Sequence, residues 1–185
     1  MCGGSMEKFD LYNDERIPLG KVLERGQKCG VGENRQVVHV CIFNSKGEML
    51  IQQRVDFKKD WPGLWDFTLG GCAIAGETSK AAAHRETLEE IGLDYDFSNH
   101  RPHLTINFDN GFDDYYFIEK DIDLNDLVLQ ESEVKAVKWA TLEEILELRK
   151  SNQFIPHIES FIVSLFDLRS QRGTIRDFFE TIKKY

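Results

Sequence analysis

The chain has 185 residues, 41% hydrophobic and 30% charged, a globular balance that argues against disorder and collagen-like repeats. Lysine and arginine total 23 against 32 aspartates and glutamates, a formal net charge of −9, which disfavours nucleic-acid polymers and anionic membranes as partners. No apolar run is long enough to span a bilayer, so the expected partner is a small molecule.

Residues 1–5, Met1-Cys2-Gly3-Gly4-Ser5, precede a second methionine and read as an artificial leader. Residues 6–185 read as one domain, because no linker or repeat cuts them. Phe9–Tyr12 suggests a short strand, and the turn at Ile17–Val22 feeds another. Val37–Phe43 is a continuous β-rich run of the kind found in buried strands. Asn44–Gly47 supplies turn chemistry, and Met49–Arg54 follows as the hairpin partner. After a loop at Trp61–Trp65, the apolar run Phe67–Ala73 is interrupted by Gly70-Gly71. Ser79–Ile91 predicts a helix, capped by Thr78 or Ser79 and ended by Gly92. Strands are expected near His103–Phe108, Asp114–Ile118 and Val134–Trp139. Thr141 with Glu144 forms a capping box for a helix to Lys150. Two more helices are expected, Pro156–Leu168 and Thr174–Lys184, which either cap a pocket or build a homodimer. The alternation gives an α/β (α+β) sandwich. The cysteines, Cys2, Cys29, Cys41 and Cys72, form no CxxC pair, and a reducing cytoplasm is expected.

The chemistry concentrates in Arg85-Glu86-Thr87-Leu88-Glu89-Glu90-Ile91-Gly92-Leu93. Glu86, Glu89 and Glu90 stand at i, i+3 and i+4, on one helix face, where Glu89 and Glu90 are expected to meet solvent. Three carboxylates so placed repel one another unless cations hold them, and hard oxygen ligands suit Mg²⁺ or Mn²⁺. The nine residues alone read more readily as a solvated acidic helix face.

Upstream residues extend the pattern to Gly71-x5-Glu77-x7-Arg85-Glu86-Thr87-Leu88-Glu89-Glu90-Ile91-Gly92-Leu93. This resembles the Nudix box, with Thr87 in place of the usual aliphatic. The likeness continues outward over about residues 36–148. The resemblance implies a Nudix α/β/α sandwich with a central mixed sheet and a loop–helix–loop metal site. It implies Mg²⁺ or Mn²⁺ held by Glu86, Glu89, Glu90 and the Gly71 carbonyl, with Glu77 in support. Arg85 would orient a glutamate by a charge-assisted hydrogen bond. Glu89, Glu90 and Arg85 are then the catalytic set. The implied reaction is attack of water on a phosphoanhydride of a nucleoside diphosphate linked to another moiety.

A rival lies within the same superfamily. Phe43-Asn44-x-Lys46-Gly47 and Trp61-Pro62-Gly63-x-Trp65 are similar to isopentenyl diphosphate isomerases. The catalytic cysteine of those enzymes falls at Gly70 and their metal histidines at Cys72 and near Arg35, so the isomerase site is missing. A third possibility is a non-catalytic domain that senses a nucleotide, although such domains usually carry a broken box. Arg54, Trp61, Trp65, Asp113 and Asp114 are candidate substrate contacts. Glu131 and Glu133 are candidates for a base at the rim. His39, within an apolar strand, is expected to be a hydrogen-bonded wall residue.

Overall fold

The computed structural model describes residues 7–175. Nine strands form one mixed sheet: β1 (Lys8–Tyr12), β2 (Pro18–Glu24), β3 (Asn34–Phe43), β4 (Met49–Arg54), β5 (Trp65–Asp66), β6 (Leu69–Cys72), β7 (Leu104–Phe108), β8 (Gly111–Glu119) and β9 (Val134–Ala140). Helix α1 (Ser79–Ile91) covers one face, and α2 (Leu142–Lys150) and α3 (Glu159–Leu168) cover the other, which is the expected α/β/α sandwich.

β3 is the axis. Its last four residues, Val40–Phe43, are wholly buried, and successive side chains feed opposite faces, as strand geometry requires. Val38, Val40 and Ile42 pack towards α1 with Leu69, Ala82, Ala83 and Ile91. Cys41 and Phe43 pack towards α3 with Phe67, Tyr115, Ile162 and Leu165. Burying each branched aliphatic side chain contributes about 1.5–3 kcal/mol.

The sheet divides next to β3. Strands β3 and β4 are in register only at Phe43 and Met49. Beyond that pair, β3 bonds to β6 on this side and to β8 on the other, while β4 bonds to β5 and β9. Thr68 closes the apex of the split: its hydroxyl accepts from Ile42 N at 2.9 Å and donates to the Leu50 carbonyl.

This crossing corrects the expectation for Phe67–Ala73. The break falls at Phe67-Thr68, where the chain passes between the two halves, and Gly70-Gly71 lie inside β6. The strand expected near Asp114–Ile118 starts earlier, at Gly111, so Asp113 lies within β8 together with Asp114. The helix expected from Pro156 starts at Glu159, because Trp65 N donates to the Gln153 carbonyl and Ile155 N to the Trp65 carbonyl, which ties this stretch to β5. The helix expected at Thr174–Lys184 falls almost wholly outside the described residues. Among the described residues, no helix is long and apolar enough to cross a membrane.

Candidate active site

Thr78 caps α1, its hydroxyl oxygen accepting from Ala81 N at 3.2 Å, and Gly92 ends the helix at φ 69°, a left-handed conformation that glycine adopts cheaply. Between these caps the helix turns Ala82, Ala83 and Ile91 into the core. Thr87 is also buried, and its hydroxyl donates to the Ala83 carbonyl at 2.6 Å. The departure from an aliphatic residue is thus satisfied locally.

The charged face is organised by Arg85. Its guanidinium grips Glu77 with two bonds of 2.8 and 3.0 Å, donates to Glu86 Oε1 at 2.9 Å and Glu89 Oε2 at 3.1 Å, and reaches the Cys72 carbonyl at 3.0 Å. Glu77 in turn accepts from Ile74 N at 3.0 Å, fixing the loop between β6 and α1. Burial works against the charge on Arg85, but the bonds from Glu77 and the charges of Glu86 and Glu77 outweigh it, so its pKa rises further.

The three box glutamates differ in exposure. Glu89 is half-exposed, Glu86 is largely covered, and Glu90 is 5% exposed. Glu90 therefore does not face open solvent as expected. It lies against β4, where Gln52 Nε2 donates to its Oε2 at 3.0 Å. Burial pushes the Glu90 pKa well above its ordinary value, with the Glu86 charge adding to the effect. Burial also raises Glu86, with Arg85 pulling the other way.

Gly71 matters sterically. A Cβ there would lie 2.0 Å from Glu86 Oε1, so only glycine lets Glu86 lie across β6. A divalent cation fits this chemistry. Two desolvated carboxylates carry charge that the cation would offset, and Gln52 Oε1 is buried with no partner among the described residues. Among the described residues, no three His, Cys, Asp or Glu side chains already converge as a metal cage. In this arrangement Arg85 holds Glu86 and Glu89, while Gln52 holds Glu90.

The candidate substrate contacts separate. Arg54 Nε donates to the Asp60 carbonyl at 3.2 Å and braces the 55–64 loop. Trp61 is 48% exposed at φ 53°. Trp65 packs against the core beneath Lys138, whose Nζ lies 5.0 Å from the ring centroid. Asp113 bonds His39, Nδ1 to Oδ1, at 2.7 Å. Asp114 points to the other face, fully buried, and takes bonds from Arg16, Ser79 and Thr105, so its carboxylate is fully engaged by the fold. Glu133 pairs with Lys58, and Glu131 is exposed.

Sequence reasoning missed three groups: Gln52, the Asp66–His157 pair at 3.1 Å, and Arg16. Gln52 could have been found from strand alternation, which puts it on the same, α1-facing side of β4 as Leu50. No local signal pairs Asp66 with His157.

The NUDIX domain family profile matches residues 33–160. The chain is 47% identical over 165 residues to "Uncharacterized Nudix hydrolase lin0387" of Listeria innocua, covering 89% of this chain and 96% of that protein. It is 37% identical over 83 residues to an isopentenyl-diphosphate Delta-isomerase of Pectobacterium atrosepticum, 45% of this chain and 46% of that one. The crystal structure of DR0079 from Deinococcus radiodurans superposes with a TM-score of 0.70 at 22% identity, covering 85% of this chain and 98% of that one, a likeness of fold.

Proposed function

The chain belongs to the Nudix hydrolase family, and we propose from that premise that it is a divalent-metal-dependent hydrolase. Its substrate is a nucleoside diphosphate linked to another moiety, cut at a phosphoanhydride bond in the cytoplasm. Nudix hydrolases act on small molecules and generally use divalent metals. The observation that carries the reading is the pair of desolvated carboxylates, Glu86 and Glu90, beside the unpartnered Gln52 Oε1.

In this reading Glu86, Glu89, Glu90 and the Gly71 carbonyl hold Mg²⁺ or Mn²⁺. The bound ion neutralises diphosphate charge and makes water more acidic. Arg85 and Glu77 act as positioning residues: the bidentate grip fixes the guanidinium, which fixes the rotamers of Glu86 and Glu89. Gln52 fixes Glu90 in the same way. Among the three, Glu89 has the exposure to exchange a proton with incoming water.

The match to an isomerase favours a second reading, double-bond migration in a prenyl diphosphate. Gly70 opposes it. That residue carries no group to move a proton, and the space its Cβ would need is taken by His39, with Nε2 2.8 Å away.

The test is a Mg²⁺ or Mn²⁺ hydrolysis screen over nucleoside diphosphate derivatives, with products resolved by chromatography and Glu90→Gln as control. Metal-dependent cleavage, lost in the variant, is expected. Turnover of isopentenyl diphosphate without phosphate release would replace the hydrolase with the isomerase.

A further inference from the structure

The split in the sheet gathers a second group of titratable side chains beside it. His39 on β3 bonds Asp113 on β8 at 2.7 Å and stacks on Tyr115, centroids 4.8 Å apart. His157, just before α3, bonds Asp66 on β5 at 3.1 Å and stacks on Phe67 at 4.3 Å. Phe161 packs edge-on to both Tyr115 and Phe67. These four polar side chains are 13–21% exposed, so each is held by the core and reaches the surface.

We propose that these two histidine–aspartate pairs form a subsite for the part of the substrate beyond its diphosphate, and that this part is an uncharged, hydroxyl-bearing group such as a sugar or polyol. The inference rests on the hydrolase reading of the box.

Its position follows from register. Asp66 stands directly opposite Gln52 across β4 and β5, and Gln52 is the side chain that holds Glu90. Across the split, β6 presents Gly71 to Glu86 and Gly70 to His39. A Cβ on residue 70 would sit 2.5 Å from His39 Cδ2, so glycine there reserves the space for the ring. Asp66 thus lies between the two groups, close enough for its charge to act on both Glu90 and His39.

Its chemistry follows from the atoms left over. Among the described residues, His39 Nε2, His157 Nδ1, Asp66 Oδ2 and the buried Gln52 Oε1 carry no hydrogen bond. Among the described residues, no lysine or arginine bonds either pair, so a second phosphate would meet two carboxylates without a cation from them. Hydroxyl groups donate and accept, which matches carboxylate oxygens beside imidazoles of either protonation state. The stacked rings hold both imidazoles in place before any ligand arrives.

The test compares Mg²⁺-dependent cleavage of ADP-ribose and UDP-glucose, which end in hydroxylated sugars, with ATP, diadenosine tetraphosphate and isopentenyl diphosphate. The sugar-terminated compounds are expected to give the highest kcat/KM. His39→Gln and His157→Gln are expected to raise KM about tenfold for the preferred compound, with a smaller change in kcat, as for loss of a binding hydrogen bond. Gly70→Ala, which displaces His39 without removing it, should do the same. Mn²⁺ affinity, measured without substrate, should be unchanged in all three. Preference for ATP, the dinucleotide or the prenyl diphosphate would overturn the proposal. So would an unchanged KM in the folded variants while Glu90→Gln abolishes cleavage. No cleavage of any compound by the wild type would instead remove the hydrolase reading itself, and the subsite with it.

Discussion

Glu90→Gln separates the demands of metal binding from those of folding. The substitution keeps the side chain's size and leaves an oxygen to accept from Gln52 Nε2, now 3.0 Å from the carboxylate. It removes a charge that burial and Glu86 both disfavour. In the wild type the folded chain holds the Glu90 proton to a higher pH than the unfolded chain does. Between the ordinary value of 4.5 and the raised folded value, the native state binds more protons, so metal-free stability falls as pH rises through that window. Glu90→Gln should flatten this fall and make the metal-free protein more stable at pH 8, by on the order of 1–3 kcal/mol, the cost of an incompletely compensated buried polar group. Metal should reverse the ranking. At a concentration of 100 times Kd, Mg²⁺ adds about 2.7 kcal/mol to the wild type, or about 5–10 °C in Tm for a domain of this size. The variant should gain almost nothing. Urea and thermal unfolding at pH 5–8, with EDTA or Mg²⁺, measure all of this. A metal-free variant less stable than wild type at pH 8, or one still raised several degrees by Mg²⁺, would refute the account of Glu90 as a strained cation ligand.

Gly71→Ala places a methyl group 2.0 Å from Glu86 Oε1 and should displace that carboxylate from Arg85, costing about 1–3 kcal/mol in urea unfolding and weakening Mn²⁺ binding at least tenfold; wild-type Mn²⁺ affinity would count against the role of the β6 glycine. His103 stacks on Phe117 and accepts from Phe117 N at 3.2 Å, and burial, aided by the charges of Arg172 and His100, holds its pKa down to about 4. Its unfolded counterpart takes up a proton first as pH drops from 6.5, so its contribution to stability is complete above 6.5 and is lost progressively towards 4. His103→Gln should flatten that part of the pH–stability curve, and an NMR titration of His103 with a midpoint near 6.5 would contradict the burial argument.

Much of the frame is legible in the chain because it is local. The Thr78 cap, the Gly92 stop and the Thr141–Glu144 capping box each depend on contacts within a few residues, and all are present. The spacing of Glu86, Glu89 and Glu90 places them on one side of α1 for the same reason. What periodicity does not carry is the third dimension beyond that face. Glu90 is buried because β4 brings Gln52 to it from 38 positions away, and Asp114 is spent on Arg16 from 98 positions away. The break at Phe67-Thr68 was equally hidden. A glycine pair is the usual mark of an interruption, but here the chain changes strand partner at Thr68, whose hydroxyl replaces the ladder bonds that β3 and β4 no longer share.

That change of partner also explains why Gly70 and Gly71 are adjacent. A strand presents successive residues to opposite faces. Where β6 forms a wall of the split, a side chain on residue 71 would expel Glu86 and one on residue 70 would expel His39. Two neighbouring glycines thus let a carboxylate on one face and an imidazole on the other approach the same stretch of backbone. A side chain at this position, such as the cysteine that the isomerase reading requires, would enter the volume that His39 fills. Filling that volume from β3, with an imidazole anchored by Asp113, replaces a movable proton donor on β6 with a fixed hydrogen-bonding wall. The substitution is consistent with a site in which the carboxylates of α1 carry the chemistry and the opposite wall selects the substrate.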